Sequence, residues 1–127
     1  MPVDKSMLKA AIVQIASIKG ISMPAEALAE DVVLLAAVWP DEHDFAQAVA
    51  STVRALEQIA AGRITPSPLE DDLGGWFSYH YQLRRSQGER AVMRVVFQPS
   101  GDGVRVKGFG HRFKPADIYH RMVLGKR

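Results

Sequence analysis

The chain has 127 residues, a formal net charge of +2, 47% hydrophobic and 24% charged side chains, the profile of one globular domain over 1–127 with enough chain to bury its own core. It holds no cysteine, which excludes a disulfide framework and any thiolate metal site. No apolar run reaches the roughly 18 residues of a membrane-spanning helix, and the N-terminus has no convincing small-residue cleavage site, so a cytoplasmic protein without membrane contact is expected.

The small net charge averages two unlike halves. Residues 1–75 carry five Lys/Arg against eleven acids, whereas 76–127 carry eleven Lys/Arg against three acids, a balance of +8. Three of the four histidines (His80, His111, His120) lie in the basic half. Arginine, histidine and tyrosine concentrated on one stretch fit a surface that handles a polyanion.

Taken in order, residues 1–9 read as a short extension. Lys9–Lys19 alternates Ile12, Gln14, Ala16 and Ile18 against Val13, Ile15 and Ser17, which suits a buried strand; its alanines and the Gly20 stop would equally suit a short helix. We read it as a strand, the choice that the family resemblance below favours. Ser22–Trp39 predicts a helix, with Ser22 as cap, Pro24 in the first turn and Leu28, Val32 and Leu35 at helical spacing. Trp39-Pro40 ends it. Asp41 or Asp44 caps a second helix carrying the stripe Phe45, Val49, Val53 and Leu56, which stops at Gly62. So short a connection predicts an antiparallel helical hairpin.

Residues 63–75 form a proline- and glycine-punctuated connector. Three strands follow: Trp76–Arg85, Arg90–Gln98 and Val104–Phe109, the last two joined by the turn Pro99–Gly103. In the third strand, Val104, Val106 and Gly108 alternate with Arg105, Lys107 and Phe109. Pro115–Leu124 is a short helix or tail. The fold class is α+β: an N-terminal strand and a helical hairpin packed on a small antiparallel sheet.

Several chemistries are absent. No HxxxH or HExxH spacing offers a metal site, neither GDG nor GFG opens a helix as a nucleotide cradle would, and no serine sits in a GxSxG elbow. No cofactor is expected. What remains is a set of arginines, histidines and tyrosines on a sheet. Period-2 alternation puts His80, Gln82 and Arg84 on one face and Tyr79, Tyr81 and Leu83 on the other, packing face. Guanidinium forks at Arg90 and Arg112 suit phosphate oxygens.

The order of elements, together with the segments PLEDDLGGWFSYHYQLRR, GERAVMRVVF and VRVKGFGHRFKPADIY, resembles the RelE/ParE superfamily of bacterial type II toxins over about residues 10–121. The resemblance implies a ribosome-dependent mRNA endonuclease whose catalytic positions fall on His80, Arg90, His111, Arg112 and Tyr119. Further RNA contacts would come from Gln82, Arg84, Arg85, Lys107 and Lys114. His80 and Gln82 stand where family members carry lysines.

Such an enzyme needs no metal, because the RNA 2′-hydroxyl is an internal nucleophile. Arg90 and Arg112 would neutralise the phosphate. His80 or His111 would serve as base, with the other imidazole or Tyr119 as acid, or Tyr119 would stack on a base. The same fold in the ParE branch implies instead a protein that inhibits DNA gyrase by binding, and a third alternative is a non-catalytic binding module. Partners implied are a cognate antitoxin, the ribosome and mRNA, or DNA gyrase.

Overall fold

The computed structural model describes residues 1–84 and 90–124; Arg85, an expected RNA contact, lies outside the described residues. The first element is set by Asp4, whose carboxylate accepts hydrogen bonds from Met7 N–H at 2.9 Å and from Ser6 Oγ, capping a helix α1 over Lys5–Ala16. The expected N-terminal strand is therefore corrected to a helix. Burial shows why: Ala11 and Ile15, four residues apart, are buried, while Val13 is 64% exposed. A strand would have put Val13 and Ile15 on one face, whereas the alanine-rich segment takes the 3.6-residue period. Residues 1–3 are no loose extension either. Val3 N–H donates to Pro40 O and Glu42 N–H to Met1 O, which lays them along residues 40–42.

The helical pair is present as α2 (Ala25–Val38) and α3 (Glu42–Ala60). Asp41 caps α3 by accepting from His43 N–H and Asp44 N–H, and Gly62, at φ +70°, closes it with an N–H to Ile59 O. Ser22 is not the cap of α2, which begins after Pro24; it pairs instead in a two-residue strand β1 (Ile21–Ser22). The remaining strands are β2 (Ser67–Pro68), β3 (Phe77–Tyr81), β4 (Met93–Ser100) and β5 (Gly103–His111), followed by α4 (Ile118–Leu124). They form one sheet in the order β1-β5-β4-β3-β2. It is mixed rather than purely antiparallel, because β1 runs parallel to β5. Gly101, at φ +57°, turns the tight β4–β5 hairpin in which Ser100 faces Gly103.

The sheet is covered on both faces. Met93, Val95, Phe97, Val106 and Phe109 pack with Ile15, Leu35, Phe45 and Leu56 of the three helices, while Val96 packs on Ile118 and Met122 of α4 and on Leu73 of a 3₁₀ turn at Asp71–Leu73. Simple alternation along β5 would set Phe109 with Arg105 and Lys107. Instead Val96 pairs with Gly108 and Phe97 with Val106, so Lys107 is an extra, bulged residue. The bulge moves Phe109 onto the face of Val106 and places Gly108 and Gly110 opposite Val96 and Arg94 under α4. A Cβ on Gly110 would meet Arg121 Nη2 at 3.0 Å, and its φ of +147° also favours glycine.

The short β1 leaves the outer edge of β5 uncovered beyond Arg105. There Phe109 N–H donates to Asp31 Oδ2 at 3.0 Å and Phe109 O accepts from Arg121 Nη2 at 3.3 Å. Arg121 Nη1 also donates to Asp31 Oδ1. One carboxylate and one guanidinium thus stand in for the acceptor and donor of a missing strand, tying α2 on one face to α4 on the other. Asp31 is fully buried and the Arg121 side chain 12% exposed. Removing one partner strands a buried charge, so Arg121→Met is expected to lower the unfolding free energy by about 3 kcal/mol in urea denaturation. The double variant Asp31→Leu/Arg121→Met should recover only part, because Phe109 N–H stays unpaired.

Candidate functional site

The face of the sheet that carries α4 gathers the cations at one end. His80 and Arg94 are direct cross-strand partners, and Arg94 also faces Gly110, so both side chains rise on the α4 side. Ser78, one step along β3, shares a 2.7 Å hydrogen bond with Tyr119 Oη of α4. Arg112 follows β5, its N–H donating to Val92 O at 2.7 Å. Its guanidinium lies 4.5 Å from the Tyr119 ring centroid and 4.8 Å from that of Phe113. Planar contact with two rings orients the guanidinium without consuming its N–H groups.

Arg94 Nη1 donates to the carbonyls of Ala91 and Met93, yet its Nε is buried without an acceptor among the described residues. Arg112 Nη1 is occupied by Asp117, whose Oδ1 lies 2.6 Å away. That contact, first, and the N–H groups of Tyr119 and His120 hold the Asp117 carboxyl below its ordinary value. Buried N–H groups are rarely left unpaired, which makes Arg94 Nε the exceptional donor of this end.

His80 is exposed beside them. Partial burial and then the charges of Arg94 and Arg112 push its pKa below the ordinary histidine value, so the imidazole is neutral near pH 7 and can accept a proton. His111 is different. Its Nδ1 accepts from Phe113 N–H at 3.0 Å and Lys114 N–H at 3.1 Å, which leaves the ring proton on Nε2. Burial, then Lys114 and Arg94, lower its pKa as well. Protonation at Nδ1 would break both loop hydrogen bonds. Of the alternatives left open for the histidines, the geometry fits His80 to proton transfer and makes His111 a neutral staple of the 111–114 loop, packed 5.7 Å from the Trp39 ring.

The other expected residues are divided. Tyr119 joins the cluster, but its hydroxyl is engaged by Ser78, so it supports Arg112 rather than standing free as an acid. Lys114 sits beside His111. Arg90 is exposed and lies two residues before Val92, whose carbonyl holds the Arg112 N–H; it precedes β4 instead of opening it. Arg84 is drawn to α3, where Asp44 and Gln47 hold it, away from His80. Gln82 follows the end of β3 and lines a groove against α3. Lys107 lies 4.7 Å above the Trp76 ring, with Arg105 at 5.6 Å, towards the opposite end of the sheet. Tyr81 is buried as expected of the packing face: Thr52 Oγ1 donates to Ala48 O, so Tyr81 Oη donates to Thr52 Oγ1, and burial raises its pKa.

Sequence reasoning missed Arg94, Asp117 and Ser78. Arg94 could have been found as the one cation inside the valine-rich run MRVVF, two residues from Val96 on the same face. Among the described residues there is no group of three His, Asp or Glu side chains able to hold a metal ion, and no helix long and apolar enough to cross a membrane.

The lowered histidine pKa values have a stability consequence. Below the ordinary value near 6.5 the unfolded chain binds protons that the folded chain resists, so stability is full above that pH and falls as pH drops towards the folded pKa. Urea midpoints are expected to fall between pH 7 and pH 5, and the double variant His80→Gln/His111→Gln should flatten that slope.

Compared with known proteins, the chain matches no family model, no curated protein and no solved structure.

Proposed function

We propose that this chain is a RelE/ParE-type toxin that cuts mRNA on the ribosome without a metal, holding the scissile phosphate at the His80 end of its sheet. The observation that carries this reading is the pair of half-buried guanidiniums, Arg94 with a buried Nε that has no acceptor among the described residues and Arg112 held by Asp117 and two rings, next to an exposed neutral imidazole. The quoted sequence segments and the strand–helix–helix–sheet order from β1 to β5 support the family reading.

In this mechanism His80 takes the proton of the RNA 2′-hydroxyl. The 2′-oxygen then attacks phosphorus while the bond to the 5′-oxygen breaks, leaving a 2′,3′-cyclic phosphate. Arg94 and Arg112 meet the charge that grows on the phosphoryl oxygens, the contribution that is usually largest. The departing 5′-oxygen takes its proton from water. Substrate phosphate displaces Asp117 from Arg112, and Tyr119 keeps the guanidinium plane in place. An acidic antitoxin segment fits the same cationic end as an inhibitor.

The test is transcript cleavage in a bacterial translation extract. Arg112→Ala is expected to slow cleavage about a hundredfold or more, with the rate unchanged by EDTA. Tyr119→Phe should stay within a few-fold of the parent and Tyr119→Ala should not, since the ring and not the hydroxyl supports Arg112.

A second reading is favoured by one observation: the Tyr119 hydroxyl is engaged by Ser78 and His111 Nδ1 by its own loop, so neither expected acid stands free among the described residues, as suits a pure binder. Inhibition of gyrase supercoiling by the Arg112→Ala variant, with no cleavage by the parent chain, would establish that reading instead.

A further inference from the structure

On the other side of β3 from the cations lies a groove of about 390 Å³, lined by Ser51, Arg54 and Gln58 of α3 and by Tyr79, His80 and Gln82. That volume falls in the range of small-ligand sites. It exists because β2 covers only Phe77 and Ser78, so from Tyr79 onwards the edge of β3 has no strand beside it among the described residues. His80 belongs to both the groove and the cationic end, which makes the two continuous.

The hydrogen bonds already made in the groove decide what it can still offer. Tyr79 Oη donates to Gln58 Oε1 at 3.1 Å, which uses that amide's acceptor and leaves its NH₂. Ser51 gives its proton to Leu83 O and accepts from Arg54 Nη2. What remains on this wall is the set of N–H donors of Arg54 and Gln58, one helical turn apart on α3, and among the described residues no acidic side chain lines the groove. The half-buried Tyr79 ring lines the groove, backed by the buried Tyr81 ring lying nearly parallel 6.3 Å away, an aromatic surface of the kind on which a base stacks.

We infer that this groove is a nucleobase subsite that takes the keto bases guanine and uracil in preference to the amino bases adenine and cytosine. Guanine O6 and N7 and uracil O4 accept from a donor wall, whereas the exocyclic amines of adenine and cytosine meet it donor to donor. The inference rests on the RNA-cleavage reading for its setting: the base attached to the ribose that His80 deprotonates is the one within reach.

The experiment is calorimetric and NMR titration of the full chain with the 3′-monophosphates of the four ribonucleosides. The guanosine and uridine nucleotides are expected to bind about tenfold more tightly than the other two, with shifts at the Arg54 and Gln58 side-chain N–H signals. In Arg54→Ala/Gln58→Ala the four should fall within about twofold of one another. Equal affinities in the parent chain, no binding of any nucleotide at millimolar concentration, or a preference that survives the double substitution would each overturn the inference. A keto preference in a chain that cuts no transcript would uphold the groove and remove the nuclease reading. Cleavage by a chain without the preference would do the reverse.

Discussion

The ion pair between Asp31 and Arg121 decides where α4 lies, and α4 decides how the cationic end of the sheet is ordered. Ile118 and Met122 offer α4 two buried side chains over Val96, a small apolar contact for a seven-residue helix. The rest of its hold comes from Arg121, which reaches over the open edge of β5 to the backbone of Phe109 and to Asp31. With α4 fixed, Tyr119 lies under Arg112 and within hydrogen-bonding distance of Ser78, and Asp117 stands against the same guanidinium. Without it, Arg112 would be a strand-end arginine with only the exposed Phe113 ring beside it. The charged clasp does what an apolar contact could not, because it satisfies a strand edge as well as holding a helix.

Concentrating positive charge at one end of a sheet raises the free energy of the fold unless the charges are offset. Three devices do this here. Asp117 sits against Arg112, aromatic rings lie under Arg112, Arg105 and Lys107, and the two histidines in the field of Arg94 stay neutral. The third matters most for chemistry. An imidazole kept uncharged by partial burial and then by neighbouring guanidiniums is a usable base at neutral pH, and under the proposed function those guanidiniums are also the groups that would bind the phosphate. His111 feels a similar field but spends its basic nitrogen on the backbone of Phe113 and Lys114.

Much of this could be read from the sequence where a local signal had no competitor. Asp41, Trp39-Pro40 and Gly62 mark the ends of α2 and α3 because caps and proline act within a few residues. The hairpin at Gly101-Asp102 follows from the same local chemistry. Residues 9–19 failed because alternation and helical spacing coexist there, and the Asp4 cap that settles the matter was assigned to an extension. The bulge at Lys107 was unreadable for another reason: register depends on the partner strand, and the partner is chosen by the whole sheet. Asp31 did carry a signal. It sits at helical spacing with Leu28 and Leu35, so a carboxylate on the apolar face of α2 required a buried partner. Which arginine would answer it, ninety residues away, was not readable.

The two ends of the α4 face are both basic, but their cations are satisfied in different ways. At the Trp76 end the charges of Arg105 and Lys107 lie over the indole ring, an arrangement that satisfies the cations by the ring face. At the His80 end the arginines are partly buried: Arg94 keeps a buried Nε without an acceptor among the described residues, while Arg112 has the Asp117 carboxylate 2.6 Å from Nη1. Leaving a buried donor without an acceptor costs the fold free energy, and an oxygen acceptor reaching Arg94 would return part of it. The Trp76 end has no such donor among the described residues.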